Sequence, residues 1–352
     1  MKAAVFYGGK DIRVEQVPDP IPGPGEAQFK ITAAGICGSD MHGYLVKSEK
    51  PWIPYPNLNG HELTGVVTKL GPGVTKVKVG QRVGVEPLHL IGCGTCRWCR
   101  QGHYQACTDR GRNADGTVRH SGGFAELDIA PEANLYPLPD SMATDAAAIL
   151  DVYACAVHTL HRVPAGPMHN VAVVGAGPIG ISIAEAYRAT GARKVIMVGL
   201  AQRTLDLAKS FACDAIVNSS TVDPVQAVMD LTDGEGADVV IEAVGGRAAT
   251  FLPAMQMLAE NGTLGIIGMY QVPQTFDSAY AMHKEVSIVT INSYGAWNGV
   301  PEYTTTMDMI MAGRFQPLKL ITHHFPLDKI LDGFEALANK AKSSAIKVLI
   351  NP

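Results

Sequence analysis

Four cysteines lie close together in the chain, at Cys93, Cys96, Cys99 and Cys107. Thiolates with the spacing C-x2-C-x2-C-x7-C can surround one tetrahedral zinc ion, and a zinc held by four sulfurs keeps no open position for chemistry. Surface thiols without metal would leave four reactive groups exposed for no benefit. A zinc ribbon that reads nucleic acid fits poorly, because the formal net charge of the chain is −4. The spacing therefore predicts a structural zinc site.

A second set of potential metal ligands is spread along the chain. Cys37, Ser39 and His42 offer a thiol, a hydroxyl and an imidazole within one short stretch, and His61–Glu62 adds an imidazole and a carboxylate. Asp151 stands far downstream, at the head of an apolar stretch. A lone histidine or cysteine is more often structural, so the spacing alone leaves a catalytic metal site and a structural role about equally open.

The stretch 171–180 reads VAVVGAGPIG and contains the pattern G-x-G-x-x-G at Gly175, Gly177 and Gly180. A strand over 171–174 is expected before it and an apolar helix over 181–189 after it, which is the order of a dinucleotide-binding turn. The first glycine permits the turn, the second lets the backbone approach a pyrophosphate, and the third lets the helix pack on the strand. Free N–H groups and the dipole at the helix start favour the anion. The pattern predicts a nicotinamide dinucleotide site.

The choice between NAD and NADP depends on the end of the next strand, at 194–198. A site for NAD carries a carboxylate about 20 residues after the glycine motif, on the ribose hydroxyls. Here Gly199 and Leu200 follow the strand, and the loop contains Arg203 but no carboxylate. An arginine can pair with a 2′-phosphate, and the alternative is that it points to solvent from the first turn of a helix. We favour NADP over NAD.

The composition excludes several classes of protein. The chain has 352 residues, of which 47% are hydrophobic and 18% charged, and this describes a globular protein of two domains. A net charge of −4 gives no basic footprint for nucleic acid. The longest uncharged apolar stretch, 171–184, is too short and too rich in glycine for a membrane helix. No signal-peptide pattern is visible, so we expect a cytoplasmic location.

The elements that must position these residues change along the chain. The first part contains short β-rich runs, such as 27–33 and 65–70, between proline and glycine turns. A helical segment is expected over 144–162. Strand and helix signals then alternate, with a helix around 248–259 and a last strand of the run near 288–291. This alternation predicts a parallel sheet with helices on both faces.

Together these motifs resemble the zinc-containing medium-chain dehydrogenase/reductase family over essentially the whole chain. The matching segments are AGICGSD at 34–40, GHE at 60–62, the cysteine pattern at 93–107 and the glycine pattern at 175–180. Alcohol dehydrogenase, a member of that family, has an open Cys₂His zinc site.

The resemblance implies an α/β protein with an interrupted domain order. A mainly β, GroES-like catalytic domain that binds zinc is expected over 1–152, and a Rossmann, doubly wound nucleotide domain over 153–296. The tail, 297–352, is expected to return to the catalytic domain. Two zinc ions per chain are implied, one structural and one catalytic. Members of the family pair through their nucleotide domains, so we expect a homodimer or a homotetramer.

By the same resemblance, Cys37 and His61 are ligands of the catalytic zinc. Glu62 adjoins the metal and either ligates it or exchanges with water. Asp151 falls where relatives place a cysteine, glutamate or aspartate as a further ligand. Asp40 fits a carboxylate that orients the imidazole of His61. Loss of such a contact typically lowers metal affinity or activity about 10–100-fold.

The resemblance also implies a proton path and a set of cofactor contacts. Ser39 would accept the proton of the substrate hydroxyl, which would pass through ribose hydroxyls to His42 and then to solvent. Ile179 would lie behind the nicotinamide ring, and Lys347 would contact the pyrophosphate. Each also has a plainer interpretation, Ile179 as core and Lys347 as a surface charge beside a C-terminal strand. The implied cofactor contacts are Gly175, Gly177, Pro178, Ile179, Gly180, Gly199, Leu200, Arg203, Val244 and Lys347.

The expected substrate is a secondary alcohol, a polyol or a cyclitol-like compound that is oxidised to a ketone. A carboxylate at Asp151 resembles the polyol, threonine and secondary-alcohol branches. Sorbitol itself is in doubt, because Ser293-Tyr294 stands where the polyol branch usually has Arg-Tyr, and Gly43-Tyr44 stands where a tyrosine usually follows the relay histidine. Two rivals are a zinc-free quinone reductase of the same superfamily and a non-enzymatic zinc- or nucleotide-binding protein.

The other histidines lie outside any ligand spacing, and we expect them to be surface or packed side chains. They are His89, His103, His120, His158, His161, His169, His283, His323 and His324.

Overall fold

The computed structural model describes residues 1–49, 53–112 and 122–352, so His120 lies outside the described residues. Contacts divide the chain into two units. The first, called here the catalytic unit, contains residues 1–151, 298–307 and 316–352, and the second, the nucleotide unit, contains residues 152–297 and 308–315.

The chain crosses between these units four times, and the crossings after Asp151 and after Trp297 each lie one residue from the boundaries that the sequence suggests. Residues 308–315 depart from the expected return of the whole tail to the catalytic unit. The physical reason is packing, because the rings of Phe315 and Tyr153 lie 5.0 Å apart within the nucleotide unit.

The first part of the chain is rich in strands. It contains β1 (Lys2–Gly8), β2 (Asp11–Gln16), β3 (Glu26–Gly35), α1 (Gly38–Leu45), β4 (Asn57–Leu58), β5 (Glu62–Leu70), β6 (Arg82–Val85), α2 (Arg97–Arg100), β7 (Leu127–Pro131), β8 (Leu135–Pro137), α3 (Thr144–Ala148) and α4 (Leu150–Arg162). Strands and helices then alternate. This part contains β9 (Asn170–Val174), α5 (Pro178–Ala189), β10 (Lys194–Gly199), α6 (Gln202–Phe211), β11 (Ala215–Asn218), α7 (Pro224–Leu231), β12 (Ala237–Glu242), α8 (Phe251–Gln256), β13 (Leu258–Ile266), α9 (Ser278–His283), β14 (Ser287–Thr290) and β15 (Ala296–Trp297). The last part contains β16 (Val300–Pro301), α10 (Glu302–Met311), β17 (Ile321–Pro326), α11 (Ile330–Ala338), α12 (Lys340–Ser343) and β18 (Lys347–Asn351).

A seven-stranded sheet forms the centre of the catalytic unit. Its strands follow the order β17-β18-β3-β5-β6-β8, and β7 also pairs with β3. The pairs are antiparallel except β17 with β18. Phe29 and Ile31 of β3, together with Phe334 of α11, lie in its buried core. This mainly β unit agrees with the expected catalytic domain.

The nucleotide unit has a six-stranded parallel sheet. Its strands follow the order β11-β10-β9-β12-β13-β14. The order reverses between β9 and β12, and ligands of doubly wound sheets bind in the crevice at such a reversal. Every residue of β9 is buried, as expected for a strand covered by helices on both faces. The α/β fold class expected from the sequence is confirmed.

Two helices differ from their expected extents. The segment 144–162 forms two helices, because Ile149 leaves the helical region with φ −117° and ψ 23° between α3 and α4. The helix expected around 248–259 is only α8, because Leu258 already pairs with Ala237 in the sheet. Within the described ranges, no helix is long and apolar enough to cross a membrane.

Candidate active site

Cys37 and the pair His61–Glu62 approach each other because β3 and β5 are antiparallel neighbours. Gly35 at the end of β3 pairs with Glu62 at the start of β5. The residues just beyond this pair therefore lie side by side. Cys37 precedes α1 as its N-cap, and its N–H donates to Oδ2 of Asp40 over 2.8 Å. This bond fixes the first turn of α1, on which Ser39 and His42 are exposed.

The structure brings Cys37, His61 and Glu62 together, with one donor atom of each within 4.8 Å of the others. A thiolate, an imidazole and a carboxylate are a zinc donor set, and three protein ligands with a fourth position left for water or substrate characterise catalytic zinc. The donors present therefore fit the metal that the sequence suggests. Asp151 is outside this group of mutually close atoms. Its charge nevertheless acts on His61.

The charges around His61 favour a cation at this place. Burial alone would lower the pKa of His61, but Cys37, Asp40 and Asp151 outweigh it and raise that pKa well above its usual value. Oδ1 of Asp40 lies 3.9 Å from Nδ1 of His61, too far for a hydrogen bond. Burial raises the pKa of Asp40 against the opposing effects of His61 and the Cys37 N–H. Asp40 thus acts on the imidazole through its charge, and its direct bond is to the α1 backbone.

Lys347 is buried beside the same site. Its ammonium forms an ion pair with Oε2 of Glu62 and donates to the carbonyl of Ile36 over 3.0 Å. Burial would lower the pKa of Lys347, but Glu62 and Cys37 outweigh it and raise that pKa. The plainer interpretation of Lys347 as a surface charge is wrong, since only 2% of the residue is exposed. The contact of Lys347 with a pyrophosphate stays a prediction. In the structure its ammonium is held by Glu62 within the catalytic unit.

Gly35 makes room for this ion pair. A Cβ atom at Gly35 would overlap Oε2 of Glu62 and lie 3.0 Å from Cε of Lys347. A side chain there would therefore displace the carboxylate of Glu62.

His89 is a residue that sequence reasoning missed. Its ring lies edge-on to the ring of His61, with 5.5 Å between centroids. Burial, aided by the charges of His61 and Arg110, lowers the pKa of His89 to about 3. It is therefore a neutral imidazole beside the candidate metal site. Its position four residues before Cys93 was the only signal in the sequence, and no ligand spacing includes it.

The four cysteines form a second, closed cluster. Their sulfur atoms all lie within 4.8 Å of one another. Backbone N–H groups support the cluster, since Cys96 donates to Sγ of Cys93 over 3.3 Å and Cys99 donates to Sγ of Cys96 over 3.4 Å. The Thr95 hydroxyl and nearby N–H groups lower the pKa of Cys93 to about 6, whereas burial raises that of Cys99 to about 12. Four sulfurs at these distances suit a tetrahedral zinc without an open position.

The glycine motif has the geometry of an anion-binding turn. Gly175 follows β9 with φ 115°, in the region that favours glycine. Gly177 is the N-cap of α5 and Pro178 its first residue, where a missing N–H costs nothing. A Cβ at Gly180 would overlap the carbonyl oxygen of Gly175, so that only glycine allows this approach. The free N–H groups at the start of α5 suit a pyrophosphate.

The other expected cofactor contacts surround the same end of the sheet. Val244 is 45% exposed, and its N–H donates to the buried Glu242 over 2.9 Å. Leu200 is 71% exposed after the buried Gly199, and Ile179 is partly exposed in the first turn of α5. Glu242 also accepts from Gly245 N–H and the Thr250 hydroxyl. This carboxylate therefore fixes the loop that carries Val244, a role with no signal in the motif.

No carboxylate stands at the end of β10, where a site for NAD would carry one. Arg203 lies exposed in the first turn of α6. In the part of the chain that the structure describes, its guanidinium has no hydrogen bond or ion pair. It is available to a ligand, and this agrees with either interpretation of the residue.

The two tyrosines considered for the substrate are both buried. Tyr44 is 1% exposed, and its hydroxyl donates to Glu335 over 2.6 Å. Tyr294 is fully buried in the nucleotide unit. Tyr44 therefore joins α1 to α11.

Two family models match the chain. The alcohol dehydrogenase GroES-like domain matches residues 23–140, and the zinc-binding dehydrogenase domain matches residues 178–311. L-Threonine 3-dehydrogenase of Pyrococcus horikoshii is 32% identical over 96% of this chain and 94% of that protein. Sorbitol dehydrogenase of Bacillus subtilis is 29% identical over 100% of this chain and 97% of that protein. The crystal structure of 2R,3R-butanediol dehydrogenase from Bacillus subtilis has a TM-score of 0.87 and 30% identity, covering 100% of this chain and 99% of that one.

A GroES-like unit with zinc-type donors and a Rossmann unit with a glycine turn define the class of zinc-binding dehydrogenases. The chain belongs to the zinc-type medium-chain dehydrogenase family, and it is an oxidoreductase that acts on CH–OH groups. The resemblance seen in the sequence is thus confirmed.

Proposed function

We propose that this protein oxidises a secondary alcohol, a polyol or a cyclitol-like compound to a ketone, with NADP as hydride acceptor. The observation that carries the proposal is the group of Cys37, His61 and Glu62, because three protein donors of these types hold a catalytic zinc whose fourth position takes water or substrate. The substrates named for the similar proteins are sorbitol, threonine and butanediol, all of which carry a secondary hydroxyl. That shared group supports the substrate class.

The proposed roles at the open site follow from position. Cys37 and His61 would hold the zinc ion, Glu62 would ligate it or exchange with water, and Asp151 would be a further ligand. A zinc ion in this place supplies polarisation of the substrate oxygen. A second zinc would be held by the four cysteines and serve the fold only. We therefore expect two zinc ions per chain, measured by elemental analysis, and one or none would count against the proposal.

The proposed proton path uses the exposed start of α1. Ser39 would accept the hydroxyl proton and His42 would release it to solvent, one turn further along the helix. Both side chains are exposed, which suits a path that ends in water. Asp40, between them in sequence, faces the interior and fixes the turn instead.

The preference for NADP is proposed from Arg203 and from the missing carboxylate after β10. Among the residues that the structure describes, the guanidinium of Arg203 has no partner, and this suits a 2′-phosphate. The glycine turn would hold the pyrophosphate, with Ile179 and Val244 beside the nicotinamide. Comparing kcat/KM for the two cofactors tests this, and a strong preference for NAD would contradict it.

We also propose a homo-oligomer formed through the nucleotide unit. The edge strand β14 is mostly exposed, with Ile288 at 38%. Met282, near this edge in sequence, is 68% exposed. Apolar side chains on an unpaired strand edge are typical of a surface that pairs. Sedimentation of the purified protein distinguishes a dimer or tetramer from a monomer.

The test of the whole proposal is a panel of sugar alcohols, cyclitols, threonine and short secondary alcohols, run with NAD and NADP in parallel. Formation of reduced cofactor with one class identifies the substrate. A zinc-free quinone reductase would show no metal and no alcohol oxidation. Tight cofactor binding without any turnover would favour a non-enzymatic role. We expect the protein to act in the cytoplasm.

A further inference from the structure

Glu86 is a buried carboxylate with no part in the proposed reaction. It follows β6 directly and is 5% exposed. Its two oxygens accept from two tyrosines, Oε1 from Tyr104 over 2.6 Å and Oε2 from Tyr136 over 3.0 Å. Burial raises the pKa of Glu86 to about 7, although both hydroxyls oppose this rise. A carboxylate kept in such a place needs both donors, because an unsatisfied buried charge is costly.

Tyr104 connects this carboxylate to the four-cysteine loop. It lies between Cys99 and Cys107, in a turn over Tyr104–Ala106. Gly92 shows how closely Tyr104 packs against the cysteine cluster. A Cβ atom at Gly92 would lie 2.9 Å from Cβ of Tyr104 and would overlap Sγ of Cys99. The hydroxyl of Tyr104 therefore reaches from the metal loop to Glu86.

Glu86 is also linked to the strand that begins at Glu62, through the pairing of β6 with β5. Strands β5 and β6 are antiparallel, with Leu63 opposite Val85. This ladder ends one residue before Glu86 and one residue after Glu62. Val85 is held from the other side, since its carbonyl accepts from the hydroxyl of Tyr303 over 3.2 Å. Glu86 thus directly follows the strand that pairs with β5, while its side chain is bonded to Tyr104 of the cysteine loop.

We propose that Glu86 is a positioning residue that couples the four-cysteine loop to the strand pair carrying His61 and Glu62, with Tyr104 as the connecting side chain. Loss of the Tyr104 bond loosens the cysteine loop and the start of β5 together. Tyr136 bonds the same carboxylate but belongs to β8, outside the cysteine loop. It therefore provides a matched control in which one hydroxyl is deleted from the same acceptor.

The first test measures zinc release from the holoprotein to the chromophoric chelator 4-(2-pyridylazo)resorcinol. In Tyr104→Phe, the slow phase of zinc release, which belongs to the four-cysteine site, should accelerate about tenfold. This is the change in rate expected when one hydrogen bond to a charged group is lost. In Tyr136→Phe, it should stay within about twofold of the wild-type rate. Equal acceleration in both variants would overturn the proposal, because Glu86 would then stabilise the unit without a specific link through Tyr104. No acceleration in either variant would overturn it as well.

The second test measures amide hydrogen exchange by mass spectrometry. Tyr104→Phe should speed exchange in segments 93–107 and 62–66 together, whereas a response confined to 93–107 overturns the coupling. Should this variant fail to fold, the wild-type protein before and after chelation of its slow-phase zinc gives the answer, since 62–66 must then exchange faster. The proposal rests on the two metal sites of the proposed function but not on its substrate. A protein that binds two zinc ions and oxidises no alcohol would refute only the proposed function.

Discussion

Replacing Lys347 by methionine should destabilise the catalytic unit strongly. The ammonium of Lys347 and the carboxylate of Glu62 are 3% and 1% exposed, so neither can turn to water when its partner is removed. Breaking a buried ion pair from one side costs about 3–5 kcal/mol, because the remaining charge is left unpaired. The carbonyl of Ile36 loses its donor as well. In domains of this size about 2–4 °C of Tm is lost per kcal/mol, which gives a fall of roughly 6–20 °C.

Thermal unfolding, followed by circular dichroism after chelation of the zinc at the open site, measures this change, because Glu62 then has no metal ion as a second partner. Lys2→Met is the matched control, because Lys2 pairs with Asp328 at 2.9 Å while the two side chains are 43% and 60% exposed. An exposed pair contributes about 0–1 kcal/mol, so this control should lose little. The double variant Glu62→Gln, Lys347→Met should recover part of the loss, since no charge is then buried alone. If Lys347→Met is no less stable than Lys2→Met, the buried pair is not formed as described.

Three further results are expected. Ser39→Ala should lower kcat by orders of magnitude while the zinc content stays unchanged, and full turnover would refute the proton path. Arg203→Ala should lower kcat/KM for NADP about tenfold, because one charge-assisted hydrogen bond is lost, and should leave kcat/KM for NAD unchanged. The pKa of Glu86 rises from 4.5 to about 7 on folding, so the folded protein keeps this proton at a pH where the unfolded chain has lost it. The stability that the bound proton contributes is therefore lost as the pH rises from about 4.5 to 7. Urea unfolding at several pH values should therefore show a smaller decline across this window in Glu86→Gln than in the wild type, and an identical decline would contradict the raised pKa.

The local motifs could be interpreted from the sequence because their chemistry is contained in short segments. The four cysteines and the glycine turn each span at most fifteen residues, so their spacing nearly determines their geometry. The strands of the nucleotide unit could also be predicted from the sequence, since buried parallel strands are continuous apolar runs. The helix expected around 248–259 was too long because helical propensity does not reveal that Leu258 belongs to the sheet.

The open metal site was only partly predictable. Cys37, His61 and Glu62 stood out through a family resemblance, since their spacing alone left a structural role equally open. Their proximity depends on the register in which Gly35 pairs with Glu62. His89 has no motif at all, and only the fold shows its ring beside that of His61.

The sequence by itself determined the class of this protein, its two kinds of metal donors and the turn that would hold a dinucleotide. Only the tertiary structure decided which buried charges meet. Lys347 pairs with Glu62 across 285 residues of chain, and Glu86 joins strand β6 to Tyr104 of the cysteine loop. Such pairs follow from strand register and burial, and a charge buried by the fold must find its partner wherever the sheet places one.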